Sequence, residues 1–249
     1  MNSCVLGLGL LSIGRTWGID NVAPPDERDA RELIETASEH GIRFFDTAPA
    51  YARSEAILGQ VLKSCPQIFA SSSIATKMGE HWDDVAGTSW VSHSRDDLYR
   101  SFENSLRLLG RIDILQLHKA NAQNVVSDDV LAVFEVARAN GVKHFGASVS
   151  DSETAKVALR SDHYDFLQFP FNAQNIALLD VLETLQDEAV KPIINRPLGM
   201  GSLARGSDGA LIDAFRFVRG HMKTGIVLTG TSRKAHLLEN IAAFERARL

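Results

Sequence analysis

A carboxylate, a phenol, an amine and an imidazole are the groups of this chain best suited to moving a proton, and each stands at or just past the end of a short apolar run. In "FFDTAPAYARSEAILG" two aromatics lead into Asp46, and Tyr51 follows within the next turn. "IATK" ends on Lys77 and "LQLH" on His118. A free phenol titrates near ~10, too high for easy proton donation at neutral pH. A neighbouring ammonium lowers that value, and a carboxylate holds the ammonium charged and in place. Lys77 and Asp46 supply those two groups, and His118 can hydrogen-bond the reacting oxygen. Such a set suits protonation of a carbonyl oxygen as hydride arrives at its carbon. A polypeptide carries no hydride, so a nicotinamide cofactor is implied.

Taken singly, each residue has a plainer reading. Asp46 could cap nearby N–H groups of a turn. Lys77 could be a surface lysine, His118 a hydrogen-bonded core histidine, and Tyr51 a packed ring. Their chemistry depends on a fold that brings them to one place.

The apolar pattern supplies such a fold. Short runs near Val5–Leu10, Ile42–Asp46, Ile68–Lys77, Ile112–His118, Val142–Ser148, Phe166–Phe169, Pro192–Asn195 and Ile226–Thr229 read as buried parallel strands. Helical periods lie between them. Residues 26–40 put Ala30, Leu33, Ile34 and Ala37 on one face, with Gly41 as the stop. Residues 94–109 open at Ser94 and Asp97, as in a capping box, and stop at Gly110. Residues 127–140 stop at Gly141, and a further helix is expected to open at Ser150 with Glu153 at box spacing. Others are expected at 54–63, 177–189, 208–219 and 233–246. Strict alternation predicts an α/β fold, an eight-stranded (β/α)8 TIM barrel forming a single domain over residues 1–249. In such a barrel the active site collects at the carboxyl ends of the strands, where all four residues fall on neighbouring strands. Ser148, Gln168, Asn195, Arg196, Gly230, Thr231, Ser232 and Arg233 also end strands at that rim, and Asn172 lies just past one.

The 249 residues are 45% apolar and 23% charged, with a net charge of −5. No basic stripe points to nucleic acid. Cys4 and Cys65 fit no metal or disulfide spacing, so a reducing cytoplasm is the expected setting. "MNSCVLGLGLLSIG" lacks a preceding Lys or Arg and is too short to span a membrane; it reads as a buried strand. Its glycines do not give the dinucleotide-fold fingerprint.

"FFDTAPAYARSEAILG", "IATK", "SFENSLRLLGRIDILQLH" and "GTSRKAHLLENIAA" resemble the aldo-keto reductases, in order and over nearly the whole chain. The resemblance implies reduction of a small aldehyde or ketone by NADPH, with NADH as another candidate. It makes Tyr51 the proton donor, tuned by Lys77 and Asp46, with His118 orienting the carbonyl. It assigns Ser148 and Gln168 to the nicotinamide carboxamide. In "NRPLGMGSL" it places Asn195, Arg196, Pro197, Leu198, Gly199 and Gly201 along the cofactor. Gly230, Ser232 and Arg233 would face the adenosine 2′-phosphate, with His236, Glu239 and Asn240 near the adenine. Ser232 is expected to open the last helix, whose N–H groups attract anions, and Arg233 to grip phosphate. Val149 stands where the family often has Asn, and Asn195 where it often has an aromatic that stacks on the nicotinamide. The chain also ends soon after the last helix, without the C-terminal loop of longer members, which implies a more open pocket.

For the substrate, the long stretch "GEHWDDVAGTSWVSHS" offers Trp82 and Trp90, and Trp17 faces the same mouth from the loop after the first strand. The tryptophans could equally pin the loop to the barrel. His81, Asp83, Asp84 and His93 fit no helix-based metal pair, so no metal is expected. Two other classes of function stay open: an NADPH-binding regulatory barrel with little turnover, and a lyase or aldolase using Lys77 as a Schiff-base amine.

Overall fold

Each of the eight apolar runs contributes one strand to a single closed barrel. The computed structural model describes residues 3–186, 188–205 and 209–248. Residues 187 and 208, which fall in two of the expected helices, lie outside the described residues. The strands are β1 (Ser3–Gly9), β2 (Phe44–Asp46), β3 (Ser73–Met78), then, after a hairpin of β4 (Glu80–Asp83) and β5 (Thr88–Val91), β6 (Ile114–Leu117), β7 (His144–Ser148), β8 (Phe166–Pro170), β9 (Lys191–Asn195) and β10 (Thr224–Thr229). All barrel pairs are parallel, and β1 closes against β10.

Helices run back outside the barrel: α2 (Glu27–Glu39), α3 (Ser54–Ser64), α5 (Arg95–Leu109), α6 (Asp128–Ala139), α7 (Ser152–Arg160), α8 (Leu179–Leu185), α9 (Ala210–Gly220) and α10 (Lys234–Arg246). Two short ones are added, α1 (Leu11–Gly14) and α4 (Pro66–Ser71). The predicted inner face of α2 is buried, with Ala30, Leu33, Ile34 and Ala37, and α5 buries Leu98, Phe102, Ser105 and Leu109, with Leu106 half-buried against the same core. Ser94 caps α5, accepting from the Asp97 N–H and donating to its carboxylate. Gly110 ends α5 at φ 74°, a conformation that disfavours side chains with a Cβ.

Period-two alternation decides what fills the barrel. Phe44, Ala75, Ile114, Ile193, Ile226 and Leu228 form one buried apolar cluster, with Phe166 packed on it. Two residues further along, the same inward-facing positions carry Asp46, Lys77, Gln116 and Gln168, all nearly inaccessible. An apolar plug therefore floors the lower barrel, and a polar layer sits on it at the carboxyl ends.

Three local expectations are corrected. Residues 68–71 are helical, because Pro66 starts α4 at its first turn, where a missing N–H costs nothing; β3 begins only at Ser73. Asp151, not Ser150, caps α7, accepting from the Thr154 N–H at 2.8 Å. The last helix begins at Lys234 with Arg233 in the cap position and no side-chain cap. Ser232 is thus not an N-cap; the Thr231 hydroxyl accepts from the Arg233 N–H instead.

Candidate active site

Asp46, Tyr51, Lys77 and His118 meet at the carboxyl end of the barrel. Lys77 Nζ donates to Asp46 Oδ2 at 2.6 Å and to the Thr47 carbonyl at 3.0 Å. Lys77 is 1% exposed and Asp46 2%, so the pair is held out of water. Gln116 Nε2 donates to the other Asp46 oxygen at 2.9 Å, and Gln168 reaches the same carboxylate at 3.4 Å. A buried carboxylate needs such partners to stay charged. Tyr51 ends a short 3-10 turn, Pro49–Tyr51, that follows β2. The Lys77 ammonium lies 5.0 Å from the centre of the Tyr51 ring, and the Tyr51 and His118 rings meet edge to face at 6.0 Å.

This turn is fixed by close packing. Gly14, in α1, approaches so near that a Cβ there would stand 1.8 Å from the Tyr51 carbonyl. Behind it the Thr47 and Ser54 hydroxyls bond at 2.7 Å. Chain and helix are thus locked on both sides of Tyr51.

The electrostatics differ from the expectation in one respect. Burial raises the Tyr51 phenol above its ordinary value, and the Lys77 charge, which lowers it, does not win. For Lys77 burial favours the neutral amine, but Asp46 and Tyr51 outweigh it and hold the ammonium above its ordinary value. Both groups therefore keep their protons at neutral pH. His118 is pushed well below the usual imidazole value by burial, then by the charges of Lys77, Lys119 and Arg15. It is neutral.

Glu80, at the start of β4, is a site residue that sequence reasoning missed. It is 5% exposed, and its Oε2 lies 3.1 Å from His118 Nδ1. That nitrogen nonetheless has no hydrogen bond, so the approach is close but misdirected. Ser89 donates to Glu80 Oε1 at 2.9 Å, and Lys119 Nζ stands 3.8 Å from it. No single-residue signal in "KMGEHW" marks a carboxylate that returns to the barrel mouth. The hairpin register that returns it, Glu80 opposite Val91, is visible only in three dimensions.

A cavity of about 720 Å³ opens over this layer, within the size range of small-molecule sites. Asp46, Tyr51 and His118 line it; Lys77 lies behind them. Ser148, Gln168, Asn195, Arg196, Pro197, Leu198 and Gly201 form one wall, and Gly230, Ser232, Arg233, His236, Glu239 and Asn240 continue it. Gly199 is not in the wall. Gln168 Oε1 and Asn195 Oδ1 are buried without a hydrogen-bond partner. A carboxamide N–H₂ would satisfy such acceptors, and the Arg233 guanidinium at the start of α10 suits a phosphate. The residues present therefore fit a nicotinamide dinucleotide. Arg196 takes φ 52° and its carbonyl accepts from Asn172 Nδ2 at 2.8 Å; its guanidinium lies over Trp17 at 5.4 Å.

The three tryptophans part company. Trp17 lines the cavity. Trp82 lies beneath the Arg15 guanidinium at 5.2 Å and is not itself in the wall. Trp90 is 45% exposed and stacks on His81 at 4.2 Å, bracing the hairpin. His93 also serves structure: Nε2 contacts the His118 carbonyl at 2.8 Å and Nδ1 the Asn124 amide at 3.1 Å. Among the described residues no group of three or more His, Cys, Asp or Glu could hold a metal ion. Among them also, no helix is long and apolar enough to cross a membrane.

A family model described as "Aldo/keto reductase family" matches residues 5–213. Aldo-keto reductase YhdN of Bacillus subtilis is 29% identical over 218 residues, covering 81% of this chain and 59% of its own length. L-galactose dehydrogenase of Arabidopsis thaliana is 27% identical over 217 residues, 80% of this chain and 62% of its own. A crystal structure described as an aldo-keto reductase from Pseudomonas aeruginosa superposes with a TM-score of 0.82 at 28% identity, over 97% of this chain and 89% of that one. The chain spans about six tenths of the length of the curated relatives it matches.

Proposed function

The chain belongs to the aldo/keto reductase family, and from that premise we propose that it is an NADPH-dependent reductase of a small aldehyde or ketone, working as a single barrel unit. The observation that carries this reading is the buried Lys77–Asp46 pair at 2.6 Å beneath Tyr51, on the floor of a cavity lined by Gln168 and His118. NADH is a second candidate for the same site.

In this reading Tyr51 gives its phenolic proton to the carbonyl oxygen. Lys77, fixed by Asp46 and the Thr47 carbonyl, offsets the negative charge that then grows on the phenol oxygen. His118, neutral beside it, positions the carbonyl. Bound NADPH would supply the hydride. Gln168 and Ser148 would hold the carboxamide end, Asn195 to Leu198 with Gly201 the middle, and Ser232 and Arg233 the phosphate of the adenosine, with His236, Glu239 and Asn240 near the adenine. A positioned acid of this kind is worth about 10²- to 10⁴-fold in rate.

A Schiff-base role for Lys77 is disfavoured by the same geometry, because Asp46 and Tyr51 keep the amine protonated. The test is NADPH oxidation, followed by absorbance, against a panel of aldehydes and ketones. Turnover on any of them supports the proposal. Tight NADPH binding with turnover on none would favour a regulatory barrel instead.

A further inference from the structure

We propose that the natural substrate carries a carboxylate as well as its reducible carbonyl, and that Arg15 is the residue that selects it. The inference rests on the carbonyl-reducing reading and names the substrate class for the same site.

Arg15 follows α1 and reaches the cavity wall shared by Tyr51, Glu80, His118 and Lys119. It makes no ion pair among the described residues, and its Nε is buried with no hydrogen-bond partner. A buried donor left unmet is costly, and native structures rarely tolerate one without a purpose. The neighbouring charges do not meet it. Glu80 lines the same wall, and it is already engaged by Ser89, by Lys119 and against His118. Asp46 is spent on Lys77, Gln116 and Gln168.

The guanidinium is also held in place. It lies over the Trp82 ring at 5.2 Å, a contact that favours a planar cation and restrains its plane. It stands close enough to His118 for its charge to act on that ring. An uncommitted, restrained guanidinium within electrostatic reach of the residue that would face the carbonyl is suited to a carboxylate, which it can grip through two parallel N–H bonds. Charge-assisted pairs of this kind discriminate by about tenfold or more against an uncharged isostere.

The test uses 4-carboxybenzaldehyde and its methyl ester, which share a ring and an aldehyde but differ in charge. Wild-type protein is expected to favour the acid by about tenfold or more in kcat/KM. Arg15→Gln should cost the acid at least about tenfold more than it costs the ester, chiefly through KM, and Arg15→Lys should restore part of the loss. Calorimetric titration of the same two compounds into wild type and both variants gives a readout without turnover, and NADPH binding is measured alongside. Equal handling of acid and ester by the wild type would overturn the proposal. So would acid binding that is undiminished in Arg15→Gln, or an NADPH affinity that falls as far as the acid affinity, which would assign Arg15 to the cofactor. Arg15-dependent binding of the acid, with no turnover of either compound or of any carbonyl in the panel, would instead sink the reductase reading and leave the carboxylate site standing.

Discussion

Glu80 Oε2 stands 3.1 Å from His118 Nδ1, at an angle that makes no hydrogen bond. Burial, with Lys77, Lys119 and Arg15 behind it, nonetheless keeps that imidazole neutral. The ring should therefore show no titration between about pH 6 and 8, and Lys119→Met should raise its pKa by removing one opposing cation. Nitrogen-detected NMR of the His118 ring checks both. A titration near the ordinary value of ~6.5 would mean that water reaches the ring and that the buried arrangement is wrong.

Tyr51 and Lys77 both hold their protons more firmly than usual. Carbonyl reduction needs the phenol, so its kcat should stay flat from about pH 6 to beyond 9. Alcohol oxidation needs the phenolate, so it should still be rising near pH 10, the ordinary phenol value. Initial rates in both directions across that range read this directly. A reduction rate that falls by half near neutral pH would assign the proton to another group.

Glu55 is 2% exposed, accepts from the Thr76 hydroxyl at 2.6 Å, and burial raises its carboxyl to about 7. The folded state thus keeps a proton that the unfolded chain gives up near the ordinary 4.5. This group's contribution is most favourable below that value and is lost as pH rises towards 7, by an amount on the order of 3 kcal/mol. Glu55→Gln should remove the slope, so the variant gains on the wild type between about pH 5.5 and pH 8. Urea unfolding at the two pH values measures it, and a constant difference between them would contradict the burial effect.

Gly14→Ala should cost activity well away from the chemistry. The new methyl would meet the Tyr51 carbonyl at 1.8 Å and Ser54 Cβ at 2.8 Å, so the Tyr51 turn must move. A shift of about 1 Å in a catalytic group can cost about 10²-fold in rate. Loss of kcat with a folded barrel by circular dichroism is the expected result; unchanged kcat would show that the turn is looser than described.

How much of this was legible beforehand depended on distance along the chain. The strand ends carrying Asp46, Lys77 and His118 were readable because each apolar run is short, buried and stopped by a polar residue. Period-two alternation then places all three inward, Asp46 and Lys77 one step above Phe44 and Ala75, and His118 two steps above Ile114. The hairpin Glu80–Asp83 with Thr88–Val91 was not readable, since two four-residue strands of mixed polarity give no periodic signal. Ile68 and Phe69 read as strand because their side chains are apolar, but the first-turn proline at 66 made the segment helical. Arg15 and Glu80 could not be found at all from local sequence. Their meaning comes from what surrounds them, a tryptophan ring beneath one and an imidazole nitrogen against the other.

Arg233→Ala should weaken NADPH by about tenfold or more while changing NADH little, since only the former has the 2′-phosphate that a guanidinium grips. Fluorescence titration with both cofactors measures the ratio. Equal losses would remove the phosphate role and leave the cofactor preference to Ser232 and the start of α10.

The most direct measurement is NADPH oxidation by Tyr51→Phe, set beside its NADPH affinity. The ring still packs against His118 and over Lys77, so only the hydroxyl is lost. The expected result is NADPH binding within about twofold of wild type and a fall in kcat of at least about 10²-fold. Turnover near the wild-type rate would show that the proton comes from elsewhere, and the account of the Asp46–Lys77–Tyr51 cluster would fall with it.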